Sequence, residues 1–235
     1  MTAEVRAFAD ANELGAALAD EVLARYDASD GMYLLGCPGG RSLRTTYRAL
    51  AVRGRRLDRL VIVMMDEYVG APPDAHYSCL RFAHEEIAEP LGAAAVWLPD
   101  ADDPGAYDAR IEDAGGVDCF LLASGASDGH VAFVPPGSPR DGRTSVIPLA
   151  TSTRQDNLAT FPEFGSLADV PLEGVSVGLG TISDARVLRL VLHGAGKRAA
   201  AARLLSLDGL DPSWPASLVH DHPDAQIWID KEAMA

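Results

Sequence analysis

The sequence has few cysteines, and they are not arranged to bridge or to hold a metal. Cys37, Cys79 and Cys119 are the only three. They are odd in number, far apart and set among apolar residues, so buried, reduced thiols are expected rather than a disulfide framework. No CxxC pair or His/Cys cluster points to zinc, and no metal site is expected. Positive charge is scarce as well. Lys and Arg total 20 against 34 Asp and Glu, a formal net charge of −14 with pI near 4.7. That excludes the clustered basic surface a nucleic acid or an anionic membrane requires. It leaves room for a small local cradle for an anion. No apolar run approaches the roughly 18 residues of a membrane span. The first residues are acidic and amphipathic rather than a basic signal sequence, so a cytoplasmic protein is expected. Internal repeats, low-complexity tracts and linkers are also missing.

What is there is a chain of 235 residues, 48% hydrophobic. Apolar runs alternate with helical patterns, which favours one α/β domain over 1–235. The spacing of Leu14, Ala17, Leu18, Val22 and Leu23 predicts a helix over 11–26. A short strand is expected at 32–35, a Gly/Pro loop at 36–42 and a helix at 43–52. A buried strand is expected at 60–65, then a helix over 74–87 with Tyr77, Leu80, Phe82 and Ile87 facing inward. Further strands are expected at 94–98, 117–123, 143–149, 175–179, 187–193 and 225–229. Helices are expected at 104–114, 181–184 and 196–205. A polar segment without an assigned element runs to about 171, and 231–235 reads as a tail. This is the βαβ pattern of a doubly wound, mostly parallel sheet with helices on both faces.

The most informative stretch is Met65-Asp66-Glu67-Tyr68-Val69-Gly70. It closes the apolar run Leu60-Val61-Ile62-Val63-Met64-Met65. Ligands of open α/β sheets bind outside the carboxyl ends of the strands, so acids placed there can do chemistry. Asp66 is then a candidate proton-transfer group, with Glu67 and Tyr68 in support. The alternative is a solvated turn with an Asx-type cap. Upstream, Cys37-Pro38-Gly39-Gly40-Arg41-Ser42 can act as an anion cradle. Glycines let backbone N–H groups approach, a helix N-terminus adds its dipole, Arg41 adds charge, and Ser42 can cap the helix or donate to a phosphate. It is neither a Walker A loop nor GxGxxG, and an ordinary strand-to-helix turn remains open. Downstream, Asp128-Gly129-His130 can fold about its glycine so that the carboxylate orients the imidazole; an incidental turn is the alternative. Lys197, near a helix start, opposes the macrodipole unless it meets an anion there. His76, His84, His193, His220 and His222 have no comparable context and read as structural.

These pieces, in this order, resemble the glucosamine-6-phosphate deaminase (isomerase) family, which belongs with the 6-phosphogluconolactonases in a Rossmann-like superfamily. The strings are Pro38-Gly39-Gly40 with Thr45-Thr46-Tyr47, Met65 to Gly70, Tyr77-Ser78, Asp128-Gly129-His130-Val131-Ala132-Phe133 and Pro136-Gly137-Ser138. Thr153-Arg154-Gln155-Asp156-Asn157, Val177-Gly178-Leu179-Gly180-Thr181 with Asp184-Ala185, and Gly194 with Lys197 complete them. The resemblance covers about residues 30–230. The Gly178-Leu179-Gly180-Thr181 string with Asp184-Ala185 points to the deaminase branch, and lactonases usually carry Asp-Glu-Arg where this chain has Asp66-Glu67-Tyr68.

The resemblance implies an aldose–ketose isomerisation coupled to loss of ammonia, on a sugar phosphate, with neither metal nor organic cofactor. It implies Asp66 as the base between C2 and C1, and His130, oriented by Asp128, as the acid/base of ring opening. Phosphate would sit on Gly39, Gly40, Arg41 and Ser42, with Lys197 as a further contact. A homo-oligomer is left open. The chain also departs from the family. Val134-Pro135 stands where the family has Asn-Glu, and about Ala159 where it has a phosphate-binding Arg. Arg41 occupies a loop position that is normally small, and the activator-binding residues of some members are missing around Ser145 and Ile147. Two alternatives follow: a lactone hydrolase in which the same His activates water, and a sugar-phosphate-binding protein that has lost catalysis.

Overall fold

The computed structural model describes residues 2–235. In chain order the strands are β1 (Glu4–Phe8), β2 (Tyr33–Cys37), β3 (Leu60–Met64), β4 (Asp66–Tyr68), β5 (Ala95–Trp97) and β6 (Cys119–Ala123). They continue as β7 (Ser145–Pro148), β8 (Glu173–Ser176), β9 (Leu188–Leu192) and β10 (Ala225–Asp230). The α-helices are α1 (Ala11–Ala28), α2 (Arg44–Val52), α3 (Cys79–Ala83), α4 (Glu89–Leu91) and α5 (Pro104–Asp113). After them come α6 (Thr151–Thr160), α7 (Leu179–Ser183), α8 (Arg198–Leu205) and α9 (Lys231–Met234).

Seven strands form one parallel sheet in the order β1-β10-β9-β6-β2-β3-β5. Alternate residues of each strand face opposite sides. Tyr33, Leu35 and Cys37 of β2 therefore pack with Leu14, Leu18 and Val22 of α1 and Tyr47 of α2. Leu34, one residue along, packs on the other side with Tyr107 of α5, Ile182 of α7 and Leu204 of α8. Helices thus cover both faces, as the βαβ pattern predicts. Gly36 has no side chain because none fits: a Cβ there would lie 1.6 Å from the Phe120 ring on β6. The chain winds outward from β2 through β3 to β5 and then returns to place β6 on the other side of β2. The gap between β2 and β6 is the switch point, where the two exit loops diverge and leave a crevice.

The sequence pattern cannot tell one sheet from another. The apolar run expected at 60–65 leaves the parallel sheet at Met64. After Met65 alone, Asp66–Tyr68 is not a solvated turn but β4, paired antiparallel with β8. β7, β8 and β4 form a separate three-stranded sheet, so the strands expected at 143–149 and 175–179 belong there.

The helix expected over 74–87 begins only at Cys79, capped by the Ser78 side chain, and runs through a π-helical turn, His84–Ala88, into α4. Pro90 lies in α4 and has no N–H to donate, and the widened turn lies just before it. Phe82 and Ile87 are buried, whereas Tyr77 and Leu80 are only half-buried. The polar segment after 149 contains α6, of which only Thr153 is buried, so it has no apolar stripe to read. β1 is an edge strand on β10, and the expected tail is α9, with the Asp230 carboxylate accepting from Ala233 N–H.

No helix among the described residues is long and apolar enough to cross a membrane.

Candidate active site

A cavity of about 500 Å³ opens above the switch point. Its walls come from four strand exits: Pro38–Ser42 after β2, Asp66 after β3, Ser124–His130 after β6 and His193–Lys197 after β9. Every residue proposed from sequence as catalytic or anion-binding lines it, except Asp128, which stands directly behind His130. All three cysteines are buried and free, and Cys79 is on the wall.

Asp66 and Glu67 are adjacent and nearly equally buried, at 6% and 8% exposure. Their surroundings differ. The Glu67 carboxylate accepts from Tyr68 N–H (2.8 Å), Ser78 Oγ (2.9 Å), Cys79 N–H (3.1 Å) and Leu80 N–H (3.0 Å). Those donors make Glu67 the anchor of the first turn of α3. Among the described residues the Asp66 carboxylate accepts only from the Cys79 thiol, Sγ to Oδ1 at 3.3 Å. Burial pushes its pKa up to about 7, with Glu67 adding to the rise and Cys79 and His130 opposing it. Two neighbouring acids are thereby given different work: a hydrogen-bonded anchor for α3 and a group poised to exchange a proton near neutrality.

Asp128 Oδ1 accepts from His130 Nδ1 at 2.7 Å and from His130 N–H at 3.1 Å. Its Oδ2 accepts from Ser152 at the start of α6. Burial raises the Asp128 pKa, but the His130 and Ser152 bonds outweigh it and hold the carboxyl well below the usual range. With Nδ1–H committed to Asp128, Nε2 of His130 is the nitrogen left to the cavity. Gly129 makes the turn: its φ is +68°, and a Cβ would lie 2.4 Å from the Trp214 indole. Gly129→Ala is expected to destabilise the fold by about 2–3 kcal/mol through strain and overlap. It should lower turnover further by displacing His130; urea unfolding and turnover of the folded fraction measure the two separately.

At the other pole, α2 and α8 both begin without a side-chain cap. The sequence offered Ser42 as a cap of α2, but Leu43 holds that position without a side-chain cap, and the Ser42 carbonyl accepts from His193 Nε2 at 2.9 Å. Lys197 Nζ donates to the Ser124 carbonyl at 2.6 Å. Burial and Arg41 lower the Lys197 pKa, while Asp156 and Asp128 oppose the fall. Arg41 is exposed at the rim and makes no ion pair or hydrogen bond through its guanidinium among the described residues.

Some wall residues were given no role from the sequence. Thr160 arrives on α6 beside Asp156 and Asn157, which stand in one of the family strings, and His193 is both a structural strut and part of the wall. Ala159 lies on the exposed side of α6 and does not line the cavity. Val134 is in the hydrophobic core, and Pro135 is absent from the wall. No group of three or more His, Cys, Asp or Glu among the described residues could hold a metal ion.

A parallel sheet with acid and base groups gathered at its switch point is the layout of an α/β enzyme. The chain belongs to the family of glucosamine-6-phosphate isomerases and 6-phosphogluconolactonase, whose model matches residues 9–228. It is 39% identical to a glucosamine-6-phosphate deaminase of Pseudarthrobacter chlorophenolicus, over 85% of this chain and 80% of that one. It is 36% identical to one of Bifidobacterium longum subsp. infantis, over 96% and 88%. A solved monomeric glucosamine-6-phosphate deaminase superposes with TM-score 0.90 at 27% identity, covering 98% of each chain. The 6-phosphogluconolactonase of Trypanosoma brucei shares the fold, with TM-score 0.71 at 20% identity, over 99% of this chain and 97% of that one.

Proposed function

We propose that this protein converts glucosamine 6-phosphate, or a closely related amino sugar phosphate, to the 2-ketose phosphate with release of ammonia. The observation that carries the reading is the division of labour between Asp66 and Glu67. A carboxylate with one weak donor, near neutral pKa and on the cavity wall is suited to take a proton from carbon and return it. His130 Nε2 moves the proton that opens the sugar ring. Asp66 then takes the C2 proton and returns it at C1. The amine at C2 becomes an imine, and water hydrolyses it to the ketone and ammonia. Glu67 and Tyr68 support the base through β4.

The phosphate rests on the backbone of Gly39 to Ser42, with Arg41 and Lys197 supplying charge and the free ends of α2 and α8 adding their N–H groups. Arg41 takes the place of the family arginine, since Ala159 faces away from the cavity. Arg41→Ala is therefore expected to raise KM for the phosphorylated sugar about tenfold with little change in kcat. An unchanged KM in steady-state assays overturns that role.

The reaction needs no metal or organic cofactor, in keeping with a soluble cytoplasmic enzyme that acts on a small molecule. The close deaminase relatives and Tyr68 in place of a lactonase arginine favour this reading over lactone hydrolysis. The test is ammonia release from glucosamine 6-phosphate by the purified protein, with fructose 6-phosphate read in parallel. Both products in equal amounts support the reading. Folded protein that produces neither overturns it, and acid release from a phospho-lactone would replace it with hydrolysis.

A further inference from the structure

Cys79 is 6% exposed, with its thiol on the cavity wall between Asp66 and the Gly39 loop. A Cβ at Gly39 would lie 3.7 Å from the Cys79 sulfur. The same residue addresses both acids of β4 in different ways: its backbone N–H donates to Glu67 at 3.1 Å, and its Sγ to Asp66 Oδ1 at 3.3 Å. That thiol bond is the one hydrogen bond the Asp66 carboxylate receives among the described residues.

We propose that Cys79 is the positioning residue of Asp66: its thiol fixes Oδ1 and leaves Oδ2 turned to the substrate. The proposal rests on Asp66 being the base. A carboxylate with no partner would rotate about its Cα–Cβ and Cβ–Cγ bonds and present a mixture of oxygens and lone pairs to the C2 proton. A carboxylate with every lone pair taken by donors, as the Glu67 hydrogen bonds approach, would have none left to face the substrate. A thiol is the weakest of the common side-chain donors, so it sets direction while removing little basicity. It is placed by the first turn of α3, and that turn is itself fixed by Glu67. The dyad is therefore one unit, in which the satisfied acid holds the helix that aims the unsatisfied one.

The other titratable groups around Asp66 come from several elements. Glu67 and Tyr68 share β4, His130 comes from the loop after β6, Tyr47 from α2 and Tyr107 from α5. None of them hydrogen-bonds the Asp66 carboxylate. Tyr47 donates to the Pro38 carbonyl and Tyr107 to the Met64 and Trp97 carbonyls.

The experiment is the pH dependence of kcat/KM for glucosamine 6-phosphate in wild type, Cys79→Ala and Cys79→Ser. Without the donor, Cys79→Ala is expected to move the acid limb to higher pH and lower kcat about tenfold, with KM within about twofold. A hydroxyl is the stronger donor, so Cys79→Ser should place the limb at or below the wild-type position and recover most of kcat. Opposite displacements by two small residues are not produced by loss of packing. An unmoved acid limb in Cys79→Ala, or the same upward shift in both variants, overturns the proposal. Should the alanine variant not fold, the serine variant decides: a limb at or below wild type supports positioning, and a limb above it overturns it. An active Asp66→Asn protein would instead remove the base reading itself, so the two failures are distinguishable.

Discussion

Asp66→Asn is expected to lower turnover by roughly 10² to 10⁴ and to make the protein more stable above pH 7. The loss of rate follows from the amide, which cannot accept the C2 proton; a general-base step is worth roughly 10² to 10⁴ in rate. The gain in stability follows from the raised pKa of the native carboxyl. In the unfolded chain an aspartate ionises near 4. In the folded protein Asp66 ionises at about 7, because burial disfavours its charge. Between those values folding takes up a proton at this site, so its contribution to stability falls as pH rises through the window. Above pH 7 the full cost of the buried charge is present, on the order of a few kcal/mol. Asparagine has no charge to bury. Thermal unfolding at pH 8 and at pH 4 checks the claim: the variant should melt well above wild type at the first and close to it at the second. A lower melting temperature at pH 8 would mean that the charge is well accommodated and that Asp66 is not the strained member of the pair.

His130→Gln is the second large effect. Glutamine fills similar space but cannot shuttle a proton, and a loss of about 10² to 10³ in kcat on the cyclic amino sugar is expected. On the proposed mechanism the substitution slows ring opening rather than C2 proton transfer. The primary isotope effect from C2-deuterated substrate should therefore shrink toward unity in the variant. An isotope effect as large as in wild type would move His130 from ring opening to the carbon chemistry. Asp128→Asn should give a milder form of the same behaviour, since an amide neither fixes the Nδ1–H tautomer as firmly nor stabilises the charged imidazole.

The parallel sheet was legible because its buried strands are apolar runs, unbroken in Leu60 to Met64 and interrupted only by Arg189 in Leu188 to Leu192. Helices with an apolar stripe, such as α1, were equally visible. The small sheet was not. Three short strands, one of them two acids and a tyrosine, carry no periodicity that assigns them to a second layer. Helix α6 escaped for a related reason: it turns polar side chains to a cavity, so nothing apolar marks its inner face. The same division holds at the site. Asp66, Asp128, His130, Lys197 and the Gly39 to Ser42 loop stand at strand ends, where position in sequence predicts position in space. Cys79 and Thr160 reach the cavity through tertiary folding alone. The distinction between Asp66 and Glu67 lies in the count of donors around each, which no spacing of letters records.

One residue, Met65, separates β3 from β4, and so the two sheets meet at a fixed step. On the proposed mechanism the base belongs to the small sheet, whereas the anion-binding loop after β2 and the lysine after β9 belong to the large one. On that reading a substrate must bridge both at once, with C2 beside Asp66 and its far end on Gly39 to Ser42. The protein then acts as a fixed caliper. A shorter sugar phosphate can occupy one jaw or the other but not both, so chain length is selected by the distance between two sheets rather than by any single side chain. Changing which carbon skeleton is accepted would call for an insertion at Met65, where a single residue sets the gauge, before any change to the residues that hold or move protons.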